Sequence, residues 1–387
     1  MGRTDRRRLL PAVALGVGAA ALAAVAADTR VARAAQPLTD GWRRVPVAPR
    51  RGTLLGISFR PRQVDTFGLD PREALGTLLK YPFEVIRLGA YWSQIEAVPG
   101  TFDFTELDFQ VEAAERAGKR IILSAGAVKT FGYPEYFVPG HRLHDALPEG
   151  TLIRADGHRQ LLTDACEFLA RVVRRYRDRA AVVAWQVEHE AVDPLGMEHS
   201  WRLSREFVRE ELAAVRTADP DRPVLLNGFL PTSLPVRAQQ WWRTRDQGDS
   251  LAVALDLADI VGIDFYPRHA LFGIAGRSVY LAGSANPWSR RRLRAVADRA
   301  ARNGRRYMVS EGQAEPWEAV TTPPDIRDHA MYSCLPEHVI TNYNACMRLG
   351  DARPYGYLFW GAEYWLLRAQ GGDRSYLGAF ARVLAES

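Results

Sequence analysis

Eight short apolar runs, each followed by a longer amphipathic stretch, recur along this chain. That alternation constrains its fold more than any other feature. The runs are Leu54–Phe59, Val85–Leu88, Arg120–Ala125, Val182–Val187, Val224–Asn227, Ile260–Phe265, Tyr307–Ser310 and Gly356–Phe359. Helix candidates lie between them. One starts at Asp70-Pro71-Arg72-Glu73, which supplies an N-cap, a proline in the first turn and a glutamate three residues on. Phe109–Ala117 ends at Gly118, and Leu161–Tyr176, Arg202–Thr217, Arg290–Asn303, Glu337–Leu349 and Tyr376–Leu384 follow. Strands that alternate with helices are parallel and joined by crossovers. Eight such repeats predict a single closed (β/α)8 barrel over residues 51–387. A doubly wound sheet is the runner-up, but Gly56-Ile57-Ser58-Phe59-Arg60-Pro61 after the first run carries neither a GxGxxG nor a P-loop.

Residues 36–50 read as a lead-in, and residues 1–35 as an export signal. Arg6, Arg7 and Arg8 form a basic start, Pro11 to Ala27 is an uncharged Ala-rich run, and Ala32-Arg33-Ala34 offers small residues for cleavage before Ala35. Asp5-Arg6-Arg7-Arg8-Leu9-Leu10 resembles a twin-arginine signal. The alternative is an uncleaved anchor, for which a run of seventeen residues is at the lower limit. The expectation is a secreted or cell-surface protein with no membrane span in its mature form.

The formal charge of +6 carries a different message once the signal is set aside. Residues 1–34 hold six Arg and two Asp, so 51 basic and 45 acidic residues become 45 and 43, a balance of +2. That is too little for a phosphate footprint, and the Arg runs 171–179 and 290–294 read as solvated outer helix faces. No nucleic-acid partner is expected. Cys166, Cys334 and Cys346 lack the spacing of a zinc site; Cys334 and Cys346 suit either one disulfide or two buried thiols. Neither HExxH nor Gly-x-Ser-x-Gly occurs, so metal and serine-hydrolase chemistry lack their usual signals. No cofactor or metal is expected, and the sequence leaves the oligomeric state open.

In a barrel the chemistry sits at the C-terminal ends of the strands. The fourth strand ends in Trp185-Gln186-Val187-Glu188-His189-Glu190, and the seventh in Ser310-Glu311-Gly312-Gln313-Ala314-Glu315-Pro316-Trp317. Each brings a glutamate to the mouth, from opposite sides of an eight-stranded ring. Two facing carboxylates can divide the cleavage of a glycosidic bond: one donates a proton to the leaving oxygen, and the other serves as nucleophile. Glu188 reads as structural, one layer deeper than Glu190. Glu315 reads as a loop-ordering or subsite residue, with the nucleophile role as its alternative. Glu363 reads as a binder of sugar hydroxyls, and Glu135 as structural.

These motifs resemble those of the clan A glycoside hydrolases, closest in style to the β-galactosidase and cellulase-like branches. The resemblance runs from Thr53 to about Trp365. It implies that Glu190 is the acid/base and Glu311 the nucleophile of a retaining enzyme acting on β-glycosidic bonds. Arg87, in Val85-Ile86-Arg87-Leu88-Gly89, matches the second-strand arginine under the nucleophile. Tyr266, in Asp264-Phe265-Tyr266-Pro267, matches the sixth-strand tyrosine that bonds it, and Trp360 the eighth-strand floor of the sugar site. Pro99-Gly100-Thr101-Phe102-Asp103-Phe104 is similar to a clan stretch after the second strand. One departure stands out: His189 occupies the place of the clan's asparagine, which binds the sugar 2-hydroxyl. It leaves room for an unusual 2-position, or for a barrel that binds carbohydrate without cleaving it. Trp92, Trp317 and Gln313 complete the expected support of a carbohydrate substrate, since aromatic faces stack on sugar rings. Trp241-Trp242 reads as core or lid.

Overall fold

The computed structural model describes residues 29–33, 40–132, 136–193, 200–274, 277–282, 287–316 and 333–387. Most of the expected export signal therefore lies outside the described residues, as do Glu135 and Trp317. The eight apolar runs are the eight strands of a closed barrel: β1 (Leu54–Ser58), β2 (Val85–Gly89), β3 (Arg120–Ser124), β4 (Val182–Gln186), β5 (Val224–Phe229), β6 (Ile260–Phe265), β7 (Arg306–Gln313) and β8 (Gly356–Trp360). Every neighbouring pair is parallel, and β8 closes the ring on β1.

Eight helices surround it, seven crossovers and a last one after β8: α1 (Pro71–Leu79), α2 (Thr105–Arg116), α3 (Arg159–Tyr176), α4 (Arg205–Ala218), α5 (Ser250–Leu257), α6 (Pro287–Arg302), α7 (Pro336–Met347) and α8 (Ser375–Glu386). Local chemistry sets their starts. Asp70 accepts from the Glu73 amide at 2.8 Å, with Pro71 in the first turn; Ser204 caps α4 and Asp249 caps α5 in the same way. Helix α5 shows no helical polar–apolar contrast along Ser250–Leu257, because five of its eight residues are buried. The short helices Pro61–Thr66, Trp92–Ile95, Leu234–Thr244 and Ala362–Gln370 follow strand ends without a distinct signal of their own.

Strand alternation sorts side chains into layers. Val85, Ile122, Ala184, Leu225, Ile260, Met308 and Leu358 fill the lower barrel, and the outward-facing residues pack against the helices in a larger core. Two residues further along several strands the inward set turns polar: Ser58, Arg87, Gln186, Asn227, Asp264 and Ser310, all buried. Gly262 makes room for this layer, since a Cβ there would lie 2.6 Å from Ser310 Oγ and 2.7 Å from Asn227 Cβ.

The lead-in is fastened to the barrel's outer shell. Ala48 N donates to Asn344 Oδ1 at 2.7 Å, Tyr343 donates to Ala48 O at 2.9 Å, and Arg382 donates to Trp42 O at 2.6 Å. Beyond β6 the chain makes a hairpin, Arg268–Ile274 with Arg277–Ala282, and the segment Thr29–Arg33 pairs antiparallel along the hairpin's second strand. Cys334 and Cys346 are buried free thiols, so the disulfide alternative gives way. The Arg runs lie on outer helices, where Arg175 pairs with Asp108 and Arg179 with Glu115. No described helix is long and apolar enough to cross a membrane.

Candidate active site

The polar layer ends upward in Glu311. A register shift on both edges of β7 brackets Ser310, so that two β7 residues oppose one on β6 between Val309 and Glu311. Such a bulge re-aims the side chains that follow it. Glu311 is buried and meets donors from three other strand ends. Arg87 donates to its Oε1 at 2.6 Å, Tyr266 donates to its Oε2 at 2.6 Å, and His189 Nε2 lies 2.7 Å from Oε1. Burial alone would push this carboxyl up. The positive charges of His189 and Arg87, with the hydrogen bonds of His189 and Tyr266, outweigh that and hold it down at about 2. It is therefore held as an ionised, oriented carboxylate.

Arg87 is itself fixed by Ser58 at 2.9 Å and Gln186 at 3.3 Å, and its guanidinium lies 4.1 Å over the Phe131 ring. Phe131 packs edge-on against Trp360 at 6.1 Å, and the His189 ring is parallel to that indole within 5°, centroids 6.3 Å apart. Phe131, Tyr266 and Trp360 form a small apolar cluster of their own around the carboxylate.

Glu190 sits just past the end of β4 in a left-handed conformation, φ 41°, and Glu188 shares that feature at φ 54°. Non-glycine residues held there are strained, and strain persists only where neighbours over-determine the backbone. The neighbours are visible. Glu188 accepts from the amides of Val128, at 2.9 Å, and Lys129, and His189 N donates to Lys129 O at 2.6 Å. The buried Lys129 ammonium donates to the carbonyls of Glu190 and Asp193, both at 2.8 Å. The loops after β3 and β4 are thus locked together, with Glu190 on top. Glu188 is turned into this clamp, so the simple alternation that put it one layer below Glu190 does not apply: β4 has already ended at Gln186. Burial, followed by the charge of Glu311, raises the Tyr266 phenol well above its ordinary value.

Several expected site residues stand elsewhere. Trp92 is in the core, stacked on Phe168 at 5.2 Å with its N–H donated to Glu96, because the short helix after β2 turns it toward α3. Trp185 and Trp365 are likewise core residues, bonded to Asp219 and Ala314. Glu363, just past β8, is buried in an ion-pair cluster. It accepts from the Arg60 backbone and guanidinium at 2.6 Å, and the same guanidinium takes both oxygens of Glu315 at 2.8 and 2.9 Å. Arg60 lies 4.2 Å over the Trp360 ring, so this buried triad packs against the indole. Gln313 accepts from the Arg268 amide at 3.2 Å and joins β7 to the chain leaving β6. Trp241 and Trp242 are 63% and 62% exposed on the helix Leu234–Thr244, which corrects the core reading.

Sequence reasoning missed Arg60, Lys129, Asn227 and Asp264. Asp264 accepts from Ser310 at 2.7 Å and Asn227 at 2.6 Å, and burial followed by the charge of Glu311 raises it to about 7. Its position on β6, two residues before Tyr266, was a usable signal. His189, Asp264 and Glu311 bring potential metal-ligand atoms within 4.8 Å of one another. Their oxygens already accept from Arg87, Tyr266, Ser310 and Asn227, and the Arg87 charge opposes a cation there.

A closed parallel barrel with two buried glutamates at the ends of β4 and β7 has the make-up of an O-glycosyl hydrolase. Residues 71–209 match the glycoside hydrolase family 42 model, described as beta-galactosidase. Among solved structures the fold is similar to xylanase 10B from Thermotoga maritima, at 13% identity and TM-score 0.53, covering 88% of this chain and 98% of that one. It is similar to the glycoside hydrolase GH5_18 from Streptomyces cattleya in complex with GlcNAc, at 14% identity and TM-score 0.56, covering 88% and 82%. It is also similar to the exo-beta-1,4-mannosidase Op5Man5 from Opitutaceae bacterium strain TAV5, at 16% identity and TM-score 0.53, covering 86% and 59%. No curated protein sequence matches the chain. The family match spans β2 to β4 with their helices, and the solved structures share the closed (β/α)8 fold; both agree with the resemblance read from the motifs.

Proposed function

We propose that the protein is a retaining glycoside hydrolase that cleaves β-glycosidic bonds of an extracellular oligo- or polysaccharide by double displacement. The observation that carries this reading is the state of Glu311: an ionised carboxylate held by Arg87, Tyr266 and His189 over a tryptophan floor. Glu190, as the carboxylic acid, gives its proton to the glycosidic oxygen while Glu311 attacks the anomeric carbon. The carbon–oxygen bond to the leaving alcohol breaks and a glycosyl ester of Glu311 forms. The Glu190 carboxylate then takes a proton from water, whose oxygen attacks the same carbon and frees Glu311. Loss of the Glu311 charge in the ester is what lets Glu190 change from acid to base. The basic start and Ala-rich run at the N-terminus support export to the cell surface or medium.

The test is direct. Glu311→Gln abolishes hydrolysis of an aryl β-glycoside that the wild type cleaves, with the fold intact by circular dichroism; full activity in that variant refutes the nucleophile role. For Glu190→Ala, added azide restores turnover as a glycosyl azide of retained configuration, and an inverted product moves the nucleophile elsewhere. A second reading, a barrel that binds carbohydrate without cleaving it, is favoured by the His189 contact with Glu311. It requires oligosaccharide binding with no reducing ends released by wild-type protein.

A further inference from the structure

Resting on the export reading above, we infer that the export signal ends at Ala26, eight residues before the Ala34–Ala35 junction, and that Thr29–Arg33 belongs to the mature enzyme. The observation is the sheet beside the barrel. Thr29 to Arg33 pairs antiparallel with Leu281 to Arg277, residue for residue and without a register shift. The hairpin it completes leaves β6 two residues after Tyr266, and Arg268 at its base donates its amide to Gln313 Oε1 on β7. Thr29–Arg33 is thus the outer strand of a three-stranded sheet rooted at the active-site mouth.

Cleavage before Ala35 would remove this strand and leave the Arg277–Ala282 backbone as an open edge, which is a template for aggregation. A two-stranded ribbon is also marginal in water, whereas three strands hold together. The sequence offers an earlier exit. Ala24-Val25-Ala26 is an A-x-A site followed by Ala27. Cutting there leaves residues 11–23 as an apolar region of ordinary length directly before the site. Cutting before Ala35 would instead place Asp28, Arg30 and Arg33 between the apolar region and the site. The earlier cut removes four Arg and one Asp, so 51 basic and 45 acidic residues become 47 and 44, a mature charge of +3.

The experiment is the N-terminal sequence and intact mass of the full chain after export by a bacterial host. The expected N-terminus is Ala27. An N-terminus at Ala35 overturns the inference and leaves a cleaved export signal standing, whereas an intact Met1 on exported protein overturns cleavage altogether. Ala26→Leu is expected to block processing; unchanged processing to the same end refutes the Ala26 junction. A chain begun at Ala35 is expected to melt at a lower temperature than one begun at Ala27. Equal melting temperatures would remove the strand from the folded enzyme.

Discussion

His189 Nε2 lies 2.7 Å from Glu311 Oε1, so the residue preceding one glutamate holds the other. In the clan the matching asparagine serves the sugar. Here the imidazole is engaged with the carboxylate and lies parallel to Trp360. Burial drives the Glu311 carboxyl upward, and the His189 charge is the first of the effects that bring it down to about 2. Removing the imidazole should therefore raise it. For His189→Ala the acid limb of kcat/KM on an aryl β-glycoside is expected to move to higher pH. An acid limb that stays where the wild type has it would separate His189 from the ionisation of Glu311.

Asp264 works in the opposite direction. Its carboxyl is raised to about 7 from 3.8, first by burial and then by the charge of Glu311. A folded state that keeps the proton longer than the unfolded chain loses stability as pH rises between those two values. Asp264→Asn removes that slope. It also leaves either Ser310 or Asn227 without its acceptor, a constant cost of about 1–3 kcal/mol. The expected result is a lower melting temperature at pH 4 and a smaller fall between pH 4 and pH 7 than in the wild type. A fall as steep as the wild type's would place the titration on another group.

Arg60 is the strongest candidate for a purely supportive role. Its guanidinium binds Glu315 and Glu363, and all three side chains are buried. Arg60→Met strands two carboxylates, at a cost of about 3–5 kcal/mol. The triple change Arg60→Met, Glu315→Gln, Glu363→Gln is expected to recover part of that loss, because no buried charge remains. Denaturant unfolding measures both, and a triple variant less stable than the single one would show that the ion pairs themselves, more than the stranded charges, hold the region together.

The barrel was legible in the sequence because each strand is a short apolar run followed by a longer amphipathic stretch. Glu190, Glu311, Tyr266 and Trp360 follow such runs and Arg87 lies within one, and the structure gathers Arg87, Tyr266 and Trp360 around the Glu311 carboxylate. Trp92 and Glu363 were misplaced because proximity to a strand end does not set direction. A short helical turn carries Trp92 outward, and Arg60 engages both oxygens of Glu363. The bulge at Ser310 and the left-handed turns at Glu188 and Glu190 leave no mark in residue type. Lys129 was invisible for a related reason: a lysine in a loop reads as solvent-facing until Glu190 and Asp193 present their carbonyls to it.

The Arg60 triad also sets an order on the birth of the molecule. Its cation stands directly after the first barrel strand, and its partners lie 255 and 303 positions downstream. While the chain is being made, that arginine waits for nearly the whole polypeptide to emerge. The seam between β8 and β1 and the ion-pair cluster against Trp360 can therefore form only when synthesis is almost over.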